Sequence, residues 1–334
     1  MALDIKTTII KPKRHTYSHI AERLGSDRPA SRYEEASFDV EPTSNFHYRP
    51  VWDPRFEIYD TARTKIQMED WYVLTDPRQF YYGTYTINRN KMFEAAETQL
   101  NFVETRGLLA NLTEADRTLV QKIILPLRHY EWGANMNNVQ ITRFGSGTIV
   151  TQATAFNAMD RLGLAQLICR IGLAFDAALA DTDSSCLHAT RAQWTDDELW
   201  QPLRKALEDS FVVEDWFELF VAQNFIMDNF VYQFVYTQFD DMLIEKGITS
   251  ISLMTEIFRK YRADSSRWVN AVLKRAISEN EENKKQIAEW VADWSKQVTP
   301  AVKALALYIQ PEQADKAVQI CEEAVQKHIT AIGL

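Results

Sequence analysis

From Phe211 to Ile244 the chain reads FVVEDWFELFVAQNFIMDNFVYQFVYTQFDDMLI, a segment with bulky apolar residues on every side of a helical projection. The apolar positions are Phe217, Leu219, Phe220, Val221, Phe225, Ile226, Met227, Phe230, Val231, Phe234, Val235 and Phe239. A helix that is apolar all round lies in the middle of a bundle, whereas a surface helix has one apolar stripe. Gly247 follows as a helix terminator. The segment therefore predicts an all-α protein built around a central helix.

Helical patterns also precede this segment. The spacing of apolar residues predicts a helix from Thr84 to Arg106, and another that is capped by Thr113, runs towards Phe144 and is kinked at Pro126. The glycines at 145 and 147 predict a tight turn. A further helix is predicted from Ile149 to about Leu179.

The same patterns continue to the end of the chain. Thr195-Asp196-Asp197-Glu198 has the form of a capping box and predicts the start of a helix. Another helix is predicted to begin at Ser250. The tail, residues 283–332, reads as two amphipathic helices that are broken near Pro300 and Pro311.

The N-terminal quarter of the chain has a different character. Six of its prolines, Pro12, Pro29, Pro42, Pro50, Pro54 and Pro77, stand before position 80 and exclude long helices. The many aromatic residues between them make this segment too apolar to stay disordered in water. We expect residues 1–82 to form an extended arm that wraps over a surface of this chain or of a partner, and residues 83–334 to form the helical domain with its C-terminal amphipathic helices.

Composition restricts the classes of function. The net charge of −9 argues against a nucleic-acid partner, because the phosphate backbone demands a basic face. Cys169, Cys186 and Cys321 are odd in number and far apart, so they give no disulfide framework and suit a reducing compartment. The start of the chain has no apolar signal region, and the uncharged run 144–159 is too short and polar to span a bilayer. We expect a cytoplasmic protein without a membrane partner.

Two segments look like halves of a di-iron site without the metal ligands. Residues 157–164 read NAMDRLGL, and residues 262–268 read RADSSRW. Carboxylate-bridged di-iron bundles carry Asp-Glu-x-Arg-His at such places, inside a Glu-x-x-His ligand pair. The Asp is kept in both copies, as Asp160 and Asp264. The ligand positions hold Arg161 and Ser265 in place of Glu, and Leu164 and Trp268 in place of His. This pattern suggests the fold of an oxygenase subunit without its metal.

The chain resembles the β subunits of the bacterial multicomponent monooxygenases, most closely that of phenol hydroxylase. The resemblance runs from RPASRYE at 28–34 and DPRQFYY at 76–82, through the long helices, to the final IGL at 332–334. It implies a ferritin-like helical bundle. The family's catalytic α subunit is a related fold that keeps its iron ligands.

The ligand positions of that family can be carried over one by one. Such a site needs six protein ligands, which fall here on Glu131, Arg161, Leu164, Gln223, Ser265 and Trp268. Only Glu131 could still serve, and a lone carboxylate cannot hold two irons. The resemblance therefore implies that this chain has no metal, no other cofactor and no catalytic residue of its own.

A physical expectation follows for the surviving carboxylate. A buried Glu131 is costly unless it is paired, and Arg161 is its natural partner. We therefore predict a Glu131–Arg161 ion pair, with Trp268 packed nearby in the volume of the lost His and metal. The other interpretation is that Glu131, Asp160 and Asp264 are ordinary acids on solvated helix faces.

The resemblance also implies a function. It implies a hydroxylase of α, β and γ chains in a two-fold assembly, served by a coupling protein and by a reductase that takes electrons from NADH. The complex would insert one atom of dioxygen into phenol or a similar aromatic ring, at a di-iron centre in the α subunit. This chain would be its non-catalytic structural subunit.

Two alternatives remain open from the sequence. One is a ferritin-like oxidase with an unusual metal site of its own, made by Glu131, Asp160 and Asp264. The other is a helical binding module with no oxygenase partner.

Overall fold

The structure is a computed structural model, and it describes residues 16–25, 28–40, 49–178 and 186–334. Within these ranges all regular secondary structure is helical, which confirms the predicted all-α class. No helix in these ranges is long and apolar enough to cross a membrane.

The helices follow one another along the whole described chain. Those of the first half are α1 (Ser18–Leu24), α2 (Arg32–Ser37), α3 (Tyr82–Thr105), α4 (Glu114–Ile124), α5 (Leu127–Phe144) and α6 (Thr148–Ala178). Those of the second half are α7 (Cys186–Asp196), α8 (Gln201–Ser210), α9 (Trp216–Phe220), α10 (Asp228–Gln233), α11 (Asp240–Glu245), α12 (Thr249–Glu279), α13 (Glu281–Ile309) and α14 (Ala314–Ile332).

The segment that was predicted to form a central helix does form a single continuous helix. Two π-helical stretches, Val221–Met227 and Phe234–Phe239, join α9, α10 and α11 into one rod, called here the central helix (residues 216–245). It begins at Asp215, whose carboxylate accepts hydrogen bonds from the backbone N–H groups of Phe217 (2.8 Å) and Glu218 (3.1 Å). Nearly all of its large apolar side chains are buried, as the sequence requires.

The polar centre of the bundle lies between α5, α6, α12 and the central helix. The pairs 131–161, 135–158 and 138–157 are joined by hydrogen bonds, and their opposite order shows that α5 and α6 form an antiparallel hairpin. α3 packs on α6 and α12, and the central helix packs on α5, α12 and α13. Gly147, in the turn between α5 and α6, has a φ of +84° and is suited to that turn because it has no side chain.

The described part of the N-terminal arm lies against the chain's own helices. Trp71 packs on Trp216 of the central helix, with ring centroids 5.2 Å apart. The backbone N–H of Gln67 donates to the Asn283 side chain at 2.9 Å. The short helices α1 and α2 bury Ile20 and Tyr33 at the start of α6. Wrapping of a partner by the arm stays a prediction.

Thr113 Oγ1 accepts from the backbone N–H of Asp116 at 3.1 Å, so this predicted cap is confirmed. Two other local predictions are wrong. Thr195 lies inside α7, where its hydroxyl donates to the carbonyl of Arg191, because the buried Trp194 keeps this turn helical. Pro300 does not break the tail but lies inside α13, because the apolar face on both of its sides is buried.

Candidate functional site

Arg161 is the centre of a charge network between α5, α6 and the central helix. Its Nη1 donates to Glu131 Oε2 at 2.8 Å and to the Tyr232 hydroxyl at 2.9 Å. Its Nη2 donates to Asp228 Oδ2. The side chains of Arg161, Glu131 and Asp228 have no exposed surface. The two residues predicted to pair therefore face each other, with a second carboxylate on the other arm of the guanidinium.

Hydrogen bonds from phenols complete the network. Tyr232 donates to Glu131 Oε1 at 2.7 Å, and Tyr130 donates to Asp228 Oδ1 at 2.7 Å. Burial raises the pKa of both hydroxyls well above the ordinary value, so both stay protonated. Burial lowers the pKa of Arg161, but the charges of Asp228 and Glu131 outweigh it and hold that pKa well above the usual range.

Asp228 was missed by the sequence reasoning. It is the single carboxylate between Glu218 and Asp240, inside the most apolar segment of the chain. A lone acid in such a segment must be paired when it is buried, and that signal could have found it. Arg262 of α12 supplies further positive charge, with Nη1 3.9 Å from Asp228 Oδ2.

Next to the charges lies a buried cluster of amides. Gln223, at the third predicted ligand position, donates to Asp228 Oδ1 at 3.0 Å and accepts from Asn137 at 2.8 Å. The amides of Asn138, Asn157 and Asn224 bind one another at 2.9–3.1 Å. The metal-ligand positions and their surroundings are thus held by amide and guanidinium hydrogen bonds.

The two Asp residues of the motif copies meet at a different cation. Arg89 of α3 donates from Nε to both carboxylate oxygens of Asp160 at 2.9 Å, and its Nη2 lies 2.8 Å from Asp264 Oδ2. Arg78 lies 3.5 Å from the same oxygen of Asp264. Asp160 is buried and Asp264 is half-buried, and both are paired with arginines, so neither is an ordinary acid on a solvated helix face. Glu131 is bound by Arg161, so the three acids of the oxidase alternative do not converge.

The remaining predicted positions are buried without polar partners. Leu164 is in the apolar core. Ser265 Oγ and Trp268 Nε1 have no hydrogen-bond partner within the described residues. Trp268, expected beside the ion pair, packs on Phe220 with ring centroids 5.3 Å apart. The rings over the Arg161 guanidinium belong instead to Tyr232 and Tyr261.

These residues do not fit a di-iron centre. Both oxygens of Glu131 already accept hydrogen bonds, and the Arg161 guanidinium stands where the family pattern has its second Glu ligand. A cation at that place repels a metal ion. Within the part of the chain that the structure describes, no cluster of three or more His, Cys, Asp or Glu side chains is arranged to hold a metal.

The comparisons with known proteins cover most of the chain. A sequence model described as methane/phenol/alkene hydroxylase matches residues 52–280. The chain belongs to the methane/phenol/alkene hydroxylase family. It is 44% identical over 306 residues to the phenol 2-monooxygenase oxygenase component DmpL of Pseudomonas sp. (strain CF600), covering 92% of this chain and 91% of that protein. It is 22% identical over 291 residues to the beta subunit of the toluene-4-monooxygenase hydroxylase component of Ectopseudomonas mendocina, covering 85% and 86%.

Solved structures agree with the sequence comparisons. Xenon-pressurized phenol hydroxylase from Pseudomonas sp. OX1 contains a chain with a TM-score of 0.89 and 42% identity, covering 97% of this chain and 98% of that one. A chain of toluene 4-monooxygenase with bound toluene has a TM-score of 0.75 at 20% identity and shares the fold, covering 96% and 100%. The chain is therefore a β-type subunit of a multicomponent monooxygenase, similar to those of the phenol hydroxylases.

Proposed function

We propose that this chain is the non-catalytic structural β subunit of a di-iron phenol or aromatic hydroxylase. It scaffolds a catalytic α subunit in a two-fold assembly that also contains a small γ subunit. The iron pair belongs to the α subunit, and electrons from NADH arrive through a separate reductase with the help of a coupling protein. The complex works in the cytoplasm.

The observation that carries this proposal is Arg161. A buried guanidinium bound to Glu131 and Asp228 supplies the positive charge that a metal would otherwise supply to these carboxylates. A member of an oxygenase family with this arrangement keeps the fold without the chemistry. The relatives named as oxygenase or hydroxylase components support its place in a larger complex.

An exposed apolar stripe on the α5–α6 hairpin, on the side away from the charge network, supports the scaffold role. Trp132, Met136 and Val139 follow one another at helical spacing on α5 and are 51%, 47% and 53% exposed. Met159 of α6 is 59% exposed and adjoins Ala158, whose carbonyl accepts from Asn135 at 2.6 Å. Trp and Met are enriched at protein interfaces, and a continuous exposed apolar patch marks an interaction surface.

Iron content tests whether this chain is non-catalytic and has no metal of its own. The chain is purified alone after iron-replete expression and its iron is measured. We expect no stoichiometric iron. About two iron ions per chain would contradict the proposal, because a di-iron bundle binds that number.

Co-purification with a tagged α subunit of a phenol hydroxylase tests whether this chain scaffolds such a subunit through the exposed stripe. A charge in a desolvated interface costs several kcal/mol, so Trp132→Glu is expected to abolish co-purification. Leu307→Glu is the matched control, because Leu307 of α13 is similarly exposed at 45% and lies outside this stripe. Equal recovery of both variants would rule out the stripe as the interface.

A further inference from the structure

A cavity of about 220 Å³ lies between the central helix, α12 and α14, behind the charge network. Tyr232 belongs to both, since its ring lines the cavity and its hydroxyl binds Glu131 and Arg161. The lining residues are Asn229, Tyr232, Gln233, Tyr236, Thr237, Arg259, Arg262, Ala263, Ser266, Ala324, Val325 and His328. Nothing in the scaffold role requires this cavity.

Two buried polar atoms in its wall have no partner within the described residues. They are Asn229 Nδ2 and the Tyr236 hydroxyl, on side chains that are only 5% and 1% exposed. Tyr236 is one helical turn beyond Tyr232, whose hydroxyl makes two hydrogen bonds. A buried donor without a partner costs about 1–3 kcal/mol, so native proteins supply one from protein, water or ligand.

The wall of the cavity is also basic. Arg262 is 12% exposed; its Nη1 donates to the backbone carbonyl of Asn224 at 3.1 Å, and its Nη2 donates to Asn229 Oδ1, which leaves Asn229 Nδ2 as the unpaired end of that amide. Its nearest carboxylate, Asp228, is 3.9 Å away and is bound more closely by Arg161. Burial lowers the pKa of Arg262, and the charge of Asp228 opposes this only in part. Arg259 is the second cation of the wall and pairs with Asp240 at 2.8 Å.

No carboxylate is present among the described residues that line the cavity. Three donors of this lining are the Arg262 guanidinium, Asn229 Nδ2 and the Tyr236 hydroxyl, and Gln233, Thr237, Ser266 and His328 add further polar groups. The lining also has apolar surface, which the Tyr232 and Tyr236 rings provide with Ala263 and Val325. Hydrogen-bond donors with no carboxylate beside them, together with aromatic and aliphatic surface, suit an amphipathic anion.

We propose that this cavity binds a small organic carboxylate, with the carboxylate on Arg262, Asn229 Nδ2 and the Tyr236 hydroxyl and the apolar body against the two tyrosine rings. Guanidinium groups recognise carboxylates through paired N–H donors, and the cavity has room for a ligand of about the size of benzoate. The site belongs to this chain and goes beyond its scaffold role.

Calorimetric titration of benzoate into the full-length chain tests the site. We expect saturable binding that Tyr236→Phe weakens about fivefold, which is what loss of one hydrogen bond produces. Arg262→Gln is expected to weaken it more than tenfold, because a charge-assisted bond is lost. Tyr308→Phe is the control, since Tyr308 lies on α13 away from the cavity and is 41% exposed.

Tyr236→Phe keeps the result interpretable, because its hydroxyl has no partner within the described residues and the fold does not depend on it. The proposal is overturned if benzoate does not bind at millimolar concentration, or if Tyr236→Phe and Arg262→Gln bind it as tightly as the wild type. A parallel titration uses inorganic phosphate, which has no apolar body. Tighter binding of phosphate than of benzoate would also overturn it, since the apolar wall would then have no role.

Discussion

Arg161 of α6 donates to Glu131 of α5 at 2.8 Å, and neither side chain has any exposed surface. In the catalytic relatives implied by the sequence pattern, both positions would hold carboxylates that bind iron. Here one of them has become the counter-charge of the other. Arg suits this exchange, because its planar guanidinium is always charged and offers five donors in fixed directions. The charge requirement of the bundle centre is met by a side chain in place of a metal.

Removing that charge should be costly. Arg161→Met is expected to lower the free energy of unfolding by about 3–5 kcal/mol, because it leaves Glu131 and Asp228 buried and uncompensated. The denaturant midpoint of the purified chain measures the loss. The triple variant Arg161→Met, Glu131→Gln, Asp228→Asn removes all three charges and should recover most of it. A single variant as stable as the wild type would mean that the guanidinium contributes nothing.

Two neighbouring tyrosines provide a matched pair. Tyr232 and Tyr236 are one helical turn apart and both buried, but only the Tyr232 hydroxyl has partners within the described residues. Tyr232→Phe is expected to cost about 2 kcal/mol, as for hydrogen bonds to charged groups, whereas Tyr236→Phe should leave the free energy of unfolding unchanged within about 0.5 kcal/mol. Urea unfolding of both variants measures the difference. Equal losses would show that the network does not depend on Tyr232.

The sequence was informative about the positions along the helices and less so about what fills the space between them. The family pattern predicted that Glu131 and Arg161 lie at the same height in the bundle, because the spacing of the ligands fixes their positions along each helix. It did not give Asp228, whose partner lies 67 residues away on another helix. Nor did it place Tyr261, since the spacing alone cannot say which of two rings on α12 reaches the guanidinium.

The fold was predictable where packing and local preference agree. The central helix follows from the all-round apolar pattern. Thr195 and Pro300 were misread because capping and proline rules are local, whereas buried surfaces on Trp194 and along α13 decide the outcome. The two π-helical stretches had no signal in the apolar spacing, which does not distinguish them from α-helix.

Arg89 binds both Asp160 and Asp264, but we predict that the two acids contribute unequally to stability. Asp160 is buried, accepts from Arg89 Nε with both oxygens and also accepts from Tyr85, whereas the Asp264 side chain is 23% exposed. Asp160→Asn should cost about 2–4 kcal/mol of stability, and Asp264→Asn no more than about 1 kcal/mol. Thermal and urea unfolding of the two variants check this. A larger loss for Asp264→Asn would contradict the ranking.

Gly147, in the turn between α5 and α6, and Gly107 both have a positive φ, but we expect their replacement by alanine to cost different amounts of stability. A Cβ on Gly147 would lie 2.5 Å from the Trp71 backbone oxygen, whereas one on Gly107 meets no atom within 4 Å. The conformation alone costs an alanine about 1–2 kcal/mol at either position. Gly147→Ala should cost about 1–3 kcal/mol more through this clash, measured as a lower denaturant midpoint. Equal midpoints for Gly147→Ala and Gly107→Ala would show that the arm moves aside freely.

His129 predicts a loss of stability in mild acid. Its ring stacks on Trp194 and its Nε2 accepts from Arg128 Nε at 3.2 Å. Burial, with the charges of Arg128 and Arg191, lowers its pKa from 6.5 to about 4. The folded protein therefore holds His129 neutral while the unfolded chain takes up a proton. This contribution to stability is complete above pH 6.5 and is lost as the pH falls from 6.5 towards 4.

His129→Gln keeps an acceptor for Arg128 without titrating, and its unfolding midpoint should fall less than that of the wild type between pH 7 and 4. The exposed His188 provides the control variant His188→Gln, which should follow the wild type. Parallel pH profiles for the wild type and His129→Gln would exclude His129 as the titrating group.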